Sequence, residues 1–276
     1  MLTLYSPAKV NLFFKIISKR QDGYHNIASL YHTISLVDIL SFEFSKNDEF
    51  VPRNSHLKWS EDNLIIKAVI AFRNKTKLLD PIKISLEKNI PIQAGLGGGS
   101  SNAATTLWAL NKLFDFPLEI NELIQLATTL GADVSFFFSS GQAFCKGIGN
   151  IFEDVQFKKD LKFIIAKPSF GMSTPEVFQR VDLNLLQKID ENILKENVIN
   201  NNFSFFNDLE ISAFSINPKL LEIKKELENM GFEKVVMTGS GSSFICFGNA
   251  NLKTSEKITF FSVFNIQRNK KNWYLF

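Results

Sequence analysis

Alternation of apolar and polar positions begins near the start of the chain. Val10, Leu12, Phe14 and Ile16 alternate with Lys9, Asn11, Phe13 and Lys15, a period of two that predicts a strand with one set buried. Lys9 and Asn11 then point the same way. A second strand is predicted over 34–44, and a third around Ile82, Ile84 and Leu86, running toward Pro91. Between them the period lengthens: Leu64, Ile65, Ala68, Val69 and Phe72 recur at helical spacing, with Asp62 placed to cap the helix.

Helical spacing returns with Ala103, Ala104, Leu107, Trp108, Leu110 and Phe114, after a cap-competent Ser100-Ser101-Asn102, and should end before Pro117. Another helix is predicted from about Asn121, with Leu123, Ile124, Ala127 and Leu130 inward and Gly131 as its stop. Past residue 150 the pattern restarts. A strand over 161–166 leads to an Asn-rich stretch near 197–202 and a helix opened by Asn217-Pro218 and closed by Gly231. Val235-Val236-Met237, the loop Gly239-Ser240-Gly241-Ser242-Ser243 and a strand over 244–247 follow. Strands and helices mix without a regular βαβα rhythm, so the predicted class is α+β in two lobes, divided as 1–155 and 156–276.

Composition narrows the class further. At 276 residues with 45% hydrophobic and 21% charged positions, the chain is globular rather than disordered, collagenous or coiled-coil. The 31 basic and 28 acidic residues are dispersed, giving +3, so no polybasic field invites nucleic acid. Arg268, Lys270 and Lys271 read as a solvated tail. The first seven residues lack the features of a secretory signal, and the uncharged stretches 89–111 and 235–252 are interrupted by Gly, Ser, Asn and Thr, so a cytoplasmic protein with no membrane partner is expected, as monomer or homodimer. Cys145 and Cys246 lack metal-ligand spacing and read as buried apolar residues; no side-chain metal centre is expected.

Glycine is scarce, yet four of the 14 residues, Gly95, Gly97, Gly98 and Gly99, fall within five positions. The segment Pro91-Ile92-Gln93-Ala94-Gly95-Leu96-Gly97-Gly98-Gly99-Ser100-Ser101 is a strand-loop-helix element, and a helix start with a flexible loop before it presents N–H groups that hold a phosphate. A dipole contact contributes only ~0.3–2 kcal/mol, so several N–H bonds must act together. A Walker A loop would need Gly-Lys-Ser/Thr, but Gly99 is followed by Ser100; the dinucleotide fingerprint would need glycine where Ser100 stands. A glycine hinge capped by serine remains the structural alternative.

The run Gly95-Leu96-Gly97-Gly98-Gly99-Ser100-Ser101-Asn102-Ala103-Ala104 resembles the ATP loop of the galactokinase, homoserine kinase, mevalonate kinase and phosphomevalonate kinase superfamily. Ser6-Pro7-Ala8-Lys9-Val10-Asn11-Leu12, Arg20-Gln21-Asp22-Gly23-Tyr24-His25, Gly131-Ala132-Asp133-Val134-Ser135-Phe136-Phe137 and the loop at 239–243 together resemble the 4-diphosphocytidyl-2-C-methyl-D-erythritol kinase family, over nearly the whole chain.

The resemblance implies a two-lobed GHMP-kinase fold with mixed and antiparallel sheets, and an active site in the cleft between the lobes. It also implies ATP with Mg2+ and phosphorylation of the acceptor's 2-hydroxyl. Asp133 would act on that hydroxyl, though by position it could also cap a short helix after Gly131. Lys9 would stabilise the transferring phosphoryl group, its alternative being the solvent face of a strand, and Asn11 would be the matching polar contact to substrate.

Tyr24, His25 and Phe178 would hold the cytidine ring; Asn63, Leu64 and Lys88 join Pro91, Ile92, Gln93, Ala94, Gly95, Leu96, Gly97, Gly98, Gly99, Ser100 and Ser101 as nucleotide contacts. Gln93 and Ala94 stand where some members carry glycine, and Gln179 where some have a basic residue. A superfamily kinase for another small alcohol, such as mevalonate or homoserine, is the alternative; Tyr24-His25 favours the cytidyl substrate. A nucleotide-binding module without catalysis is disfavoured by Lys9 and Asp133 beside the glycine loop.

Overall fold

The computed structural model describes residues 1–156, 161–252, 256–268 and 272–274. In chain order these form β1 (Leu2–Lys19), β2 (His25–Phe44), β3 (Glu49–Pro52), α1 (Leu64–Thr76), β4 (Ile82–Glu87), α2 (Gly98–Leu113), α3 (Ile120–Leu130), β5 (Gln142–Gly147), β6 (Ile151–Asp154), β7 (Lys162–Pro168), α4 (Thr174–Gln179), α5 (Glu191–Ile199), β8 (Phe206–Asn207), α6 (Leu209–Ile216), α7 (Lys219–Asn229), β9 (Lys234–Met237), β10 (Phe244–Phe247) and β11 (Ile258–Phe264). The α+β expectation is met by two sheets. One runs β3-β4-β2-β1-β8, with β5 pairing the first half of β2 and carrying β6; the other runs β11-β7-β10-β9 and is antiparallel throughout. Parallel pairs occur only at β3/β4 and β1/β8 among the described strands.

The first sheet is buried on both faces. Phe14, Ile16, Leu40 and Phe42 pack with the inner faces of α1, α2 and α3. Val10, Leu12, Phe13 and Leu30 pack with Phe163, Ile165, Ile245 and Val263 of the second sheet and with Leu194 and Val198 of α5. This overturns the grouping of Val10 and Leu12 with Phe14 and Ile16. Pairing with β2 jumps from Asn11↔Tyr31 to Phe13↔Leu30, so a bulge inserts one residue and exchanges the faces beyond it. Lys9, Asn11 and Phe14 thereby share the helix side of the sheet.

Two end signals also move. Asn63, not Asp62, caps α1: its Oδ1 accepts from Ile65 N at 3.0 Å. α2 starts at Gly98, with Gly97 in the cap position at φ 67°, so Ser100, Ser101 and Asn102 lie inside the helix rather than before it. α3 and α7 end against Gly131 and next to Gly231 as expected. Arg268 is no solvated tail: it is buried, its Nε donates to Ser139 O at 2.9 Å, and its guanidinium lies 5.8 Å from the Trp273 ring. Tertiary carbonyls and an aromatic face replace water around its charge. Lys270 and Lys271 lie outside the described residues.

Candidate active site

The glycine cluster owes its shape to what lies behind it. Gly97 adopts the left-handed conformation, and a Cβ there would stand 2.8 Å from Lys9 Cγ. Gly95 is tighter still, since a Cβ would fall 2.2 Å from Thr238 O in the loop after β9. Side chains are excluded at both positions because backbone or the Lys9 stem occupies the space. The first bond of α2 closes from Ser101 N to Gly97 O at 2.9 Å, and the cap has no side chain, so the N–H groups of Gly98, Gly99 and Ser100 have no intrahelical acceptor. An anion placed there meets several donors and the positive end of the helix dipole.

Lys9 runs beneath this loop. Its backbone N–H donates to Leu96 O at 2.9 Å, and its buried ammonium donates to Asn11 Oδ1 at 2.8 Å, lies 3.2 Å from Asp133 Oδ2 and sits 4.3 Å from the centre of the Tyr31 ring. Tyr31 OH donates to Asp133 Oδ1 at 3.0 Å. Burial first, and the Asp133 charge second, push the Tyr31 phenol well above its ordinary value, so it remains a donor. Asp133 caps no helix; it precedes the short 3-10 turn Ser135–Phe138, whose cap position is Val134, and it is partly open to the cavity.

A cavity of about 810 Å³ joins these groups to a second cluster. His25 is buried at the start of β2, with its ring centre 5.7 Å from that of Phe178 on α4, and Phe178 meets Phe14 edge-on at 6.2 Å. Neither His25 ring nitrogen has a hydrogen-bond partner among the described residues. Burial, then the charge of Lys19, lowers its basicity, leaving a neutral ring able to donate and accept. Tyr24 stands 61% exposed at the mouth, so of the pair expected on one loop only Tyr24 is presented to solvent.

Most of the expected nucleotide positions line the same cavity: Asn63, Leu64, Lys88 and residues 91–100. Asn63 spends both amide atoms on local structure, since besides capping α1 its Nδ2 donates to Lys58 O at 3.1 Å. Ser101 does not line the cavity; it is buried and receives a hydrogen bond from Ser6 Oγ at 2.8 Å. Asn11 is likewise absent from the lining. Its amide is used up inside, accepting from Lys9 and donating to Ser29 Oγ at 3.0 Å, so it aims Lys9.

Three contributors escaped the sequence reading. Tyr31 orients Asp133; Asp38 receives Lys88 Nζ at 2.6 Å; and Thr174 Oγ1 meets Ser240 Oγ at 2.7 Å, tying α4 to the loop at 239–243. Asp38 carried a legible signal, a lone charge amid the apolar run 34–42. Lys88 is less basic than usual because burial outweighs its pairing with Asp38. Among the described residues no His, Cys, Asp and Glu side chains gather in threes around one metal position.

The profile described as GHMP kinases N terminal domain matches residues 63–141. A 4-diphosphocytidyl-2-C-methyl-D-erythritol kinase of Protochlamydia amoebophila is 44% identical over 279 residues, covering 99% of this chain and 93% of that protein. The chloroplastic kinase of the same name from Arabidopsis thaliana is 41% identical, covering 90% of this chain and 68% of its own length. A crystal structure of 4-(cytidine 5'-diphospho)-2C-methyl-D-erythritol kinase superposes with a TM-score of 0.75 at 30% identity, covering 90% of this chain and 91% of the other. A homoserine kinase from Cytophaga hutchinsonii, at 14% identity, shares the fold with a TM-score of 0.70 over 98% of this chain and 96% of its own. With this fold, this cavity, and a bacterial relative 44% identical over 93% of its own length, the chain belongs to the 4-diphosphocytidyl-2-C-methyl-D-erythritol kinase family of GHMP kinases.

Proposed function

We propose that this kinase transfers the γ-phosphoryl group of ATP to the 2-hydroxyl of 4-diphosphocytidyl-2-C-methyl-D-erythritol, giving ADP and the 2-phosphate. The observation that carries this is the pairing of buried Lys9 with the cavity-facing Asp133, in the cavity that also holds the glycine loop and the His25–Phe178 cluster. Phosphoryl transfer asks little covalent chemistry of the protein, mainly positioning and charge stabilisation. The free N–H groups at the start of α2 hold the donor phosphates, with Lys88 beside them. Asp133, fixed by Tyr31 and Lys9, accepts the proton of the attacking hydroxyl, while the Lys9 ammonium balances charge on the equatorial oxygens.

At the other end, Tyr24 and Phe178 supply aromatic faces for the cytosine ring, and the two unpaired His25 nitrogens suit its hydrogen-bonding edge. An acceptor with no base, such as mevalonate or homoserine, would leave these groups without a partner. Magnesium belongs to the same proposal, as the counter-ion of the ATP phosphates. The cavity's carboxylates, Asp22, Asp62 and Asp133, do not form a shared cage, so phosphates and water would complete its shell.

The division at 155/156 is also part of this reading. β7, β9, β10 and β11 all follow it, although β8 returns to the first sheet. No helix of the described residues is long and apolar enough to cross a membrane. With a charge of +3, a cytoplasmic protein free of nucleic acid, as monomer or homodimer, is what we propose. A coupled ADP-release assay against a panel of alcohols tests the function: release is expected with the cytidyl substrate, and release only with mevalonate or homoserine would refute the assignment.

A further inference from the structure

The donor loop is gripped from both sides of the cleft, and the grip passes through the side chain of Gln93. Gln93 adopts φ 52°, a left-handed conformation costly for any residue but glycine, so its surroundings must hold it there. Its carbonyl accepts from Met172 N at 3.4 Å. Gly171 lies against it with no slack: a Cβ at 171 would stand 2.7 Å from Gln93 Cβ, 2.8 Å from Oε1 and 3.2 Å from its carbonyl oxygen. One residue on, Ala94 O accepts from Ser243 N at 3.2 Å, and Gly95 packs on the backbone of Thr238 and Gly241.

The segment that meets Gln93 leads straight to the acceptor site. Gly171-Met172-Ser173 runs into α4, which carries Phe178 against His25. That segment is itself stiff. Lys167 Nζ donates to Phe170 O at 2.7 Å, Ser242 Oγ donates to the same carbonyl at 2.6 Å, and Thr174 binds Ser240. A small shift of the loop when phosphates engage α2 must therefore move Gly171 and, through three residues of chain, the start of α4, because close-packed contacts transmit displacement rather than absorb it.

We propose that Gln93 is a positioning residue that couples the two substrates: its contact with Gly171 lets nucleotide in the donor loop set the placement of Phe178, so donor and acceptor bind with positive cooperativity. This rests on the functional reading above. With glycine at 93 the backbone conformation costs nothing, but the side-chain contact disappears.

The test is calorimetric titration of 4-diphosphocytidyl-2-C-methyl-D-erythritol with and without a non-hydrolysable ATP analogue and Mg2+, in the wild type, Gln93→Gly, Gly171→Ala and the double variant. Nucleotide is expected to tighten acceptor binding by about tenfold in the wild type, within the usual range for linked sites, and by a factor near one in Gln93→Gly, whatever happens to each single-ligand affinity. Gly171→Ala should weaken binding of both ligands, and adding Gln93→Gly should restore it, since two of the three contacts made by the new methyl group vanish. A merely structural role for Gln93 predicts the rescue but not the lost coupling, which is the discriminating readout. A wild-type factor of one, or equal coupling in Gln93→Gly, overturns the proposal while leaving the function standing. A wild type that binds no cytidyl ligand overturns both.

Discussion

The successive glycines of the donor loop should respond very differently to a methyl group. At Gly97 alanine must keep φ 67°, which costs roughly 1–2 kcal/mol in the left-handed region. The added Cβ would also stand 2.8 Å from Lys9 Cγ and 3.2 Å from Lys9 Cε, where ordinary carbon contacts lie near ~3.5–4.0 Å, so the lysine stem must retreat by several tenths of an ångström. That stem ends in the ammonium held 2.8 Å from Asn11 and 3.2 Å from Asp133. Misplacement of a reacting group by ~1 Å can cost on the order of 10²-fold.

At Gly99 the same methyl meets only Leu64 Cδ1 at 3.4 Å, the backbone is helical, and alanine gains up to ~1 kcal/mol in helix propensity. Gly97→Ala should therefore lower kcat by about 10²-fold and the midpoint of thermal unfolding by a few degrees, at roughly 2–4 °C per kcal/mol. Gly99→Ala should unfold no earlier than the wild type. Steady-state kinetics and differential scanning calorimetry on both variants decide the matter. Turnover within a few-fold of wild type in Gly97→Ala would show that Lys9 is not aimed by this contact, and equal destabilisation of both variants would refute the packing argument.

Asp133→Asn should lower turnover by ~10²–10⁴-fold, the usual worth of a positioned base, while nucleotide binding by calorimetry survives; undiminished ADP release would remove Asp133 from its role. Phe178→Ala should raise KM for the cytidyl substrate by about 5- to 150-fold, the equivalent of ~1–3 kcal/mol of base stacking, with KM for ATP far less affected; a rise confined to ATP would contradict the division of the cavity. His32 is buried with its ring nitrogens meeting Thr33 O and Gln142 Nε2, and burial depresses it from 6.5 to about 4. Its neutral form thus contributes fully above pH 6.5; as the pH falls toward 4 the unfolded chain takes a proton that the folded one refuses, and about 3 kcal/mol is lost. Urea midpoints of wild type and His32→Gln should diverge in slope across that window, and parallel curves would exclude His32 as the cause.

Much of this protein was legible along the chain because the signals are local. The helices at 64–76, 98–113 and 120–130 announce themselves by the period of their own apolar residues, and the strands flanking Gly239-Ser240-Gly241 by theirs. The motifs holding Lys9, Tyr24-His25, the glycine cluster and Asp133 are contiguous runs, so the family could be read from them without any contact being known.

What the tertiary structure decided depends on partners far apart in sequence. Tyr31 and Asp133 are 102 positions apart and Ser6 and Ser101 are 95, so no local period marks Tyr31 as an orienting donor or draws Ser101 away from the cavity. The bulge at Leu12 leaves the composition of β1 untouched, yet it exchanges the faces of Phe14 and Ile16, because only pairing with β2 fixes where the extra residue falls. Arg268 read as a tail charge until Ser139 and Trp273 surrounded it. Sequence alone determined the elements, the motifs and the family; folding determined which side chains face the reaction and which hold the others in place, since hydrogen bonds and packing act over a few ångströms in space regardless of separation along the chain.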